Sequence, residues 1–111
     1  MRKSNIIDKL LFLYNKEYIE QRVTMSVLPT DMDQYTVELH ELKCKEAHKL
    51  VSHIIILNNS TCALRLIHGY NRGTAIKEML WSDIRRDYNI ENMYTEPGNP
   101  GVTIMLLNKV C

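Results

Sequence analysis

Residues 62–74 read Cys-Ala-Leu-Arg-Leu-Ile-His-Gly-Tyr-Asn-Arg-Gly-Thr. Cys62–His68 is an apolar run interrupted by Arg65 and reads as a buried strand. Gly69 to Gly73 then makes a glycine-containing loop. From Thr74 to about Asp87, apolar residues return at Ile76, Met79, Leu80 and Ile84, the spacing of a helix with one buried stripe. Strand, glycine loop and helix in succession are the centre of an α/β unit.

Upstream, Tyr35–His40 (YTVELH) alternates apolar and polar residues as a half-buried strand does. Lys43 to Leu57 places Ala47, Leu50, Val51, Ile54 and Leu57 on one helical stripe. Downstream, Ile90–Glu96 reads as a third strand and Pro97–Gly101 (PGNPG) as a turn. Val102–Leu107 (VTIMLL) is a fourth strand, apolar on both faces as a central strand is. The expected order is β-α-β-α-β-β. Crossovers between parallel strands are right-handed, which puts both helices on one face and gives a two-layer α+β sandwich. A last strand returning through a tight turn into the middle gives a four-stranded mixed sheet of order 1-2-4-3. The first three strands end at one edge, where ligands of open α/β sheets gather.

Residues 1–34 are expected to be an N-terminal helix and linker preceding a domain of residues 35–111. Ser4 is positioned as an N-cap, and Ile6, Ile7, Leu10, Leu11, Tyr14 and Tyr18 recur at helical spacing, so one helix is expected from Asn5 to about Arg22. Thr24 to Gln34, with Pro29 and the Asp31/Asp33 pair, reads as linker. Such a helix packs on the domain or on a second copy, so a homodimer is one expected partnership.

At 111 residues, 45% hydrophobic and 24% charged, the chain has the length and composition of one soluble domain. A net charge of +1 excludes a broadly basic nucleic-acid binder, so any such binding is local. Cys44, Cys62 and Cys111 are odd in number and widely spaced, which fits a reducing compartment better than a disulfide framework or zinc knuckle. Asp8 and Lys9 interrupt the only apolar stretch near the start. No run approaches the ~20 residues of a membrane span, so a cytoplasmic location without membrane contact is expected.

The candidate chemistry sits at the strand ends. Glu38 and His40 are two apart in a strand and leave it on the same face, opposite the helices, since Val37 and Leu39 take the core side. A carboxylate there can orient the imidazole, raise its basicity or share a metal with it. His68 ends the neighbouring strand, although alternation assigns it to the opposite face. Gly69 and Gly73 permit backbone conformations that aim N–H groups at a phosphate. Arg72 can add a charge-assisted contact and Tyr70 can stack on a base, while Lys43 and Lys45 flank the other helix start. Each feature has a plainer reading: a hydrogen-bonded strand-end histidine for His40, and an ordinary turn for Gly69–Gly73. Cys44 and His48, four apart on a helix, have no second pair. His53 reads as a surface or rim residue, and Arg85, Arg86 and Asp87 as a solvated helix end.

Three elements, in order, carry a resemblance. They are Val37-Glu38-Leu39-His40-Glu41-Leu42 before a helix, Leu64-Arg65-Leu66-Ile67-His68-Gly69-Tyr70-Asn71-Arg72-Gly73-Thr74 before another, and Pro97-Gly98-Asn99-Pro100-Gly101-Val102-Thr103-Ile104. Together they resemble the Smr (small MutS-related) family of nucleic-acid-binding and nicking domains. Departures are Glu38 where the family more often has Asp, Glu41 where Gly is usual, and Asn71 in place of a middle Gly. The resemblance implies an endonuclease cutting phosphodiester bonds, RNA ahead of DNA. Glu38, His40 and His68 would be catalytic, and Lys43, Gly69, Tyr70, Asn71, Arg72 and Gly73 would hold the nucleic acid. RNA can be cut by two histidines without metal, whereas DNA cleavage calls for a metal-activated water. A divalent ion such as Mg or Mn on Glu38 and His40 is then the expected cofactor. The alternative is a module that binds nucleic acid or ribosome-associated RNA without cutting it.

Overall fold

In the computed structural model, residues 6–70 and 73–108 are described; the expected N-cap Ser4 and the loop residues Asn71 and Arg72 lie outside them. The described residues begin with two short helices, α1 (Ile6–Leu10) and α2 (Lys16–Arg22). The single helix expected over this stretch is therefore corrected. Asn15 is the reason: its side chain accepts a hydrogen bond from the Tyr18 amide at 2.7 Å, capping a new helix start. Tyr14 stacks on Tyr18 with ring centroids 5.2 Å apart, and the Arg22 guanidinium lies over the other ring.

The expected linker is corrected too. Val23–Val27 is a strand, β1, joined by a tight turn to β2 (Asp33–Glu38). Pro29 presets the turn, in which the Asp31 amide donates to the Leu28 carbonyl, and Asp31 takes a left-handed φ of 66°. After β2 come α3 (Cys44–Leu57) and β3 (Cys62–Ile67). A helical stretch follows as α4 (Ala75–Met79), a π-helical turn (Leu80–Ile84) and α5 (Arg85–Asp87). β4 (Asn92–Thr95) and β5 (Val102–Leu107) complete the regular structure of the described residues.

The sheet has five strands in the order β1-β2-β3-β5-β4. This replaces the four-stranded sheet of order 1-2-4-3, because β1 adds itself antiparallel to the outside of β2. β2 and β3 are parallel, while β5 runs antiparallel to both β3 and β4. The carboxyl ends of β2, β3 and β4 therefore share one edge.

The register separates the two faces. Tyr35, Val37, Leu64, Leu66 and Met105 point toward the helices and are essentially inaccessible, with Leu50, Val51, Ile54, Leu80 and Ile84 packed over them. Ile6, Leu10, Ile19 and Val23 belong to this same core, so α1, α2 and β1 bury their apolar sides within their own chain. The opposite, helix-free face carries Thr36, Glu38, Arg65, Ile67, Val102 and Ile104, and among the described residues no helix packs its apolar side there. No helix among the described residues is long and apolar enough to cross a membrane.

Candidate functional site

Beyond β2, the Leu39 amide donates to the Ile67 carbonyl at 2.8 Å, extending the parallel ladder one residue before the chain turns into α3. Leu39 is buried, Glu38 lies on the helix-free face opposite Ile67, and His40 follows just beyond the last residue of β2. Their side chains meet: Glu38 Oε1 is hydrogen-bonded to His40 Nδ1 and also accepts from the His40 amide at 3.3 Å. A carboxylate can only accept, so Nδ1 carries the hydrogen whether the ring is neutral or charged. In the neutral ring the lone pair is on Nε2. That nitrogen lies 3.8 Å from Oε1 of Glu41, itself largely exposed. The Glu41 departure thus sets a second carboxylate against the same ring.

His68 is placed otherwise. It follows Leu64 and Leu66 toward the core side and is 5% exposed. Nδ1 donates to the Gly69 carbonyl (2.8 Å), which leaves Nε2 to accept from the Thr103 hydroxyl at 2.9 Å. Thr103 in turn accepts the indole N–H of Trp81 at 3.0 Å. The Gly69 carbonyl can only accept, so Nδ1 carries a hydrogen, and in the neutral ring Nε2 is the acceptor of the Thr103 hydroxyl. Burial pushes its pKa down; the Gly69 bond opposes this, and the Lys77 charge adds to it.

The glycine loop is built on a close approach of backbones. The amides of His68 and Gly69 both donate to the Gly101 carbonyl at 3.0 Å, so the first two N–H groups of the loop face the 97–101 turn. A Cβ on Gly101 would stand 3.3 Å from the Gly69 backbone, and one on Gly69 would stand 3.2 Å from the His40 Cβ. Gly69 also has a φ of +76°, and Gly73 one of +104°. Of the expected phosphate cradle, the Gly69 amide is thus committed to Gly101.

His40 and His68 both line a cleft of about 710 Å³ at this edge, with Glu41, Cys44, Gly69, Tyr70 and Gly73 also around it. Lys43 is not among its lining residues; its amide donates to the Glu46 carboxylate at the start of α3. Glu38 and His40 offer two donors to a cation. Among the described residues no group of three or more His, Cys, Asp or Glu side chains is arranged to hold one. His53, read as a surface or rim residue, is hydrogen-bonded through Nδ1 to the Tyr14 hydroxyl at 2.6 Å and ties the N-terminal helices to α3.

Three residues escaped the sequence reading. Thr103 and Trp81 complete the His68 chain, and the signal was a polar residue inside the apolar VTIMLL strand. Glu96 pairs bidentately with Arg65 (2.6 and 2.9 Å), and its carboxylate accepts from the Asn99 side-chain Nδ2 at 3.0 Å. There the signal was a single arginine inside an otherwise apolar strand. The pairing holds the Glu96 carboxyl below its usual range and raises Arg65 above its own.

Fold and site together define an α+β domain with a carboxylate–imidazole pair at the shared edge of its parallel strands. In comparisons with known proteins, no family model, curated protein or solved structure matches this chain.

Proposed function

We propose that this chain is a Smr-type nucleic-acid-binding domain that cuts phosphodiester bonds, RNA ahead of DNA. The observation carrying this reading is the Glu38–His40 pair at the rim of the large cleft. A histidine whose Nδ1–H is held by a carboxylate presents a correctly oriented Nε2 as a general base. On RNA, Nε2 takes the proton of a 2′-hydroxyl, the 2′-oxygen attacks phosphorus, and the 5′-oxygen leaves with a proton from water. On DNA, a divalent ion such as Mg or Mn held by Glu38, His40 and the substrate would activate the water instead. His68 acts here as a positioning residue, since both its nitrogens are engaged within the protein. Arg72 and Lys43 supply the local positive charge that a net charge of +1 does not. A cytosolic setting accompanies this reading, in keeping with the free thiols Cys44 and Cys62.

Binding without cutting is the second reading, favoured by Glu41, whose carboxylate would repel a phosphate beside His40. One experiment separates the two. Purified protein is incubated with supercoiled plasmid and with structured RNA, with and without Mg or Mn, beside a His40→Ala variant. Cleavage should fall about 100- to 10,000-fold in the variant, with affinity and thermal stability nearly unchanged. A wild-type protein that binds but never cuts would establish the second reading, and a His40→Ala protein that unfolds would make His40 structural.

A further inference from the structure

A second cleft, of about 420 Å³, opens on the helix-free face of the sheet. Its floor is Ile67 and Val102, paired across β3 and β5, and its walls include Arg65, Asn99, Pro100 and Tyr70. The volume lies within the roughly 300–1,000 Å³ range of small-ligand sites. Tyr70 lines both this cleft and the larger one, and its ring is more than half exposed. Ile67 is directly opposite Glu38 in the β2–β3 register, so the floor lies one strand spacing, about 4.8 Å, from the strand bearing the Glu38–His40 pair.

The charge of this cleft decides what fits. Arg65 is committed through Nε and Nη2 to both oxygens of Glu96, so guanidinium and carboxylate neutralise each other. A phosphate would find no net attraction there. A flat, uncharged, hydrogen-bonding ring would find apolar contacts below, an aromatic face beside it, and polar groups at its edge. Those groups are the Asn99 carboxamide, steadied by its bond to Glu96, and the Nη1 side of Arg65.

We propose that the smaller cleft receives one unpaired nucleobase, stacked on Tyr70, while the adjoining phosphate enters the larger cleft beside Glu38 and His40. This rests on the nucleic-acid reading above and narrows its substrate to single-stranded or bulged strands, because a base inside a duplex cannot leave its stack without added cost. Tyr70 is then the ridge over which the strand passes.

The test measures binding of the full chain to short fluorescent oligonucleotides of each base type, to the same strands made abasic at one position, and to a perfect duplex. Single strands should bind more tightly than duplex. Tyr70→Ala should weaken single-strand binding roughly 5- to 100-fold, while Tyr70→Phe keeps it. The abasic substitution should cost a similar factor, and the two losses should not multiply when combined. Methyl signals of Ile67 and Val102 should shift when the intact strand binds. Equal affinity of Tyr70→Ala and wild type, or silent methyls, would overturn the base site while leaving nucleic-acid binding in place. A protein that binds neither single strands nor duplex would overturn both.

Discussion

At the scale of single residues, the most instructive contrast is between the two histidines. Glu38 and His40 were legible because a strand's two-residue period alone puts them on one face. His68 was not, because its ring is fixed by Thr103, 35 positions away, and no local pattern reports such a partner. The difference has a pH signature. The folded-state pKa of His68 lies below the ordinary value of 6.5. Above that pH the ring is neutral in folded and unfolded chains alike and adds no slope. Below it the unfolded chain takes up a proton that the folded chain refuses, so stability falls until the folded pKa is reached, by at most about 1.4 kcal/mol per pH unit. Urea unfolding followed from about pH 7.5 to pH 5.5 should show this loss in the wild type and a shallower one in His68→Gln; equal slopes would assign the proton elsewhere. Gly101 makes a second residue-scale case. A methyl there meets Gly69 backbone rather than a pliable side chain, so Gly101→Ala should cost roughly 1–3 kcal/mol in chemical denaturation. An unchanged midpoint would mean that the two backbones part without penalty.

At the scale of elements, the misread segment is Val23–Val27. Its sequence, VTMSV, does alternate, with Val23 and Met25 packed inward and Thr24 and Ser26 outward. The preceding helical periodicity masked this pattern, and Pro29 looked like the end of structure when it is the turn of a hairpin. The split between α1 and α2 was hidden similarly: Asn15 sits in a run whose apolar spacing continues through it, and only the cap geometry reveals the break. The π-helical turn at Leu80–Ile84 could not be read from apolar spacing; it carries Trp81, whose indole N–H reaches Thr103 across the fold. Because α2 lies in the shared core, Ile19→Ala should cost about 2–5 kcal/mol of unfolding free energy, the range for large-to-small changes in a core. A helix merely tethered by a linker would lose almost nothing, and calorimetry or urea titration distinguishes the two outcomes.

At the scale of the whole molecule, apolar runs and crossover rules sufficed for an α+β sandwich with the histidine-bearing strand ends at one edge. They did not suffice to count the strands, because the edge strand β1 has one polar face and one hairpin partner and so looks like coil beside VTIMLL. The site was legible as a set of strand ends. Its subdivision into two clefts was not, since that depends on where Tyr70, which lines both, stands beside the 97–101 turn. The placement of β5 also has a consequence during synthesis. β4 pairs only with β5, and β3 has one side open until β5 arrives between them. A chain growing at about 5–20 residues per second therefore has made β1, β2 and β3 while an interior strand of its own sheet is still inside the ribosome. The exposed flank of β3 in that interval is the edge a nascent-chain chaperone would have to shield, and release of residues 102–107 from the exit tunnel is the event that lets the domain close.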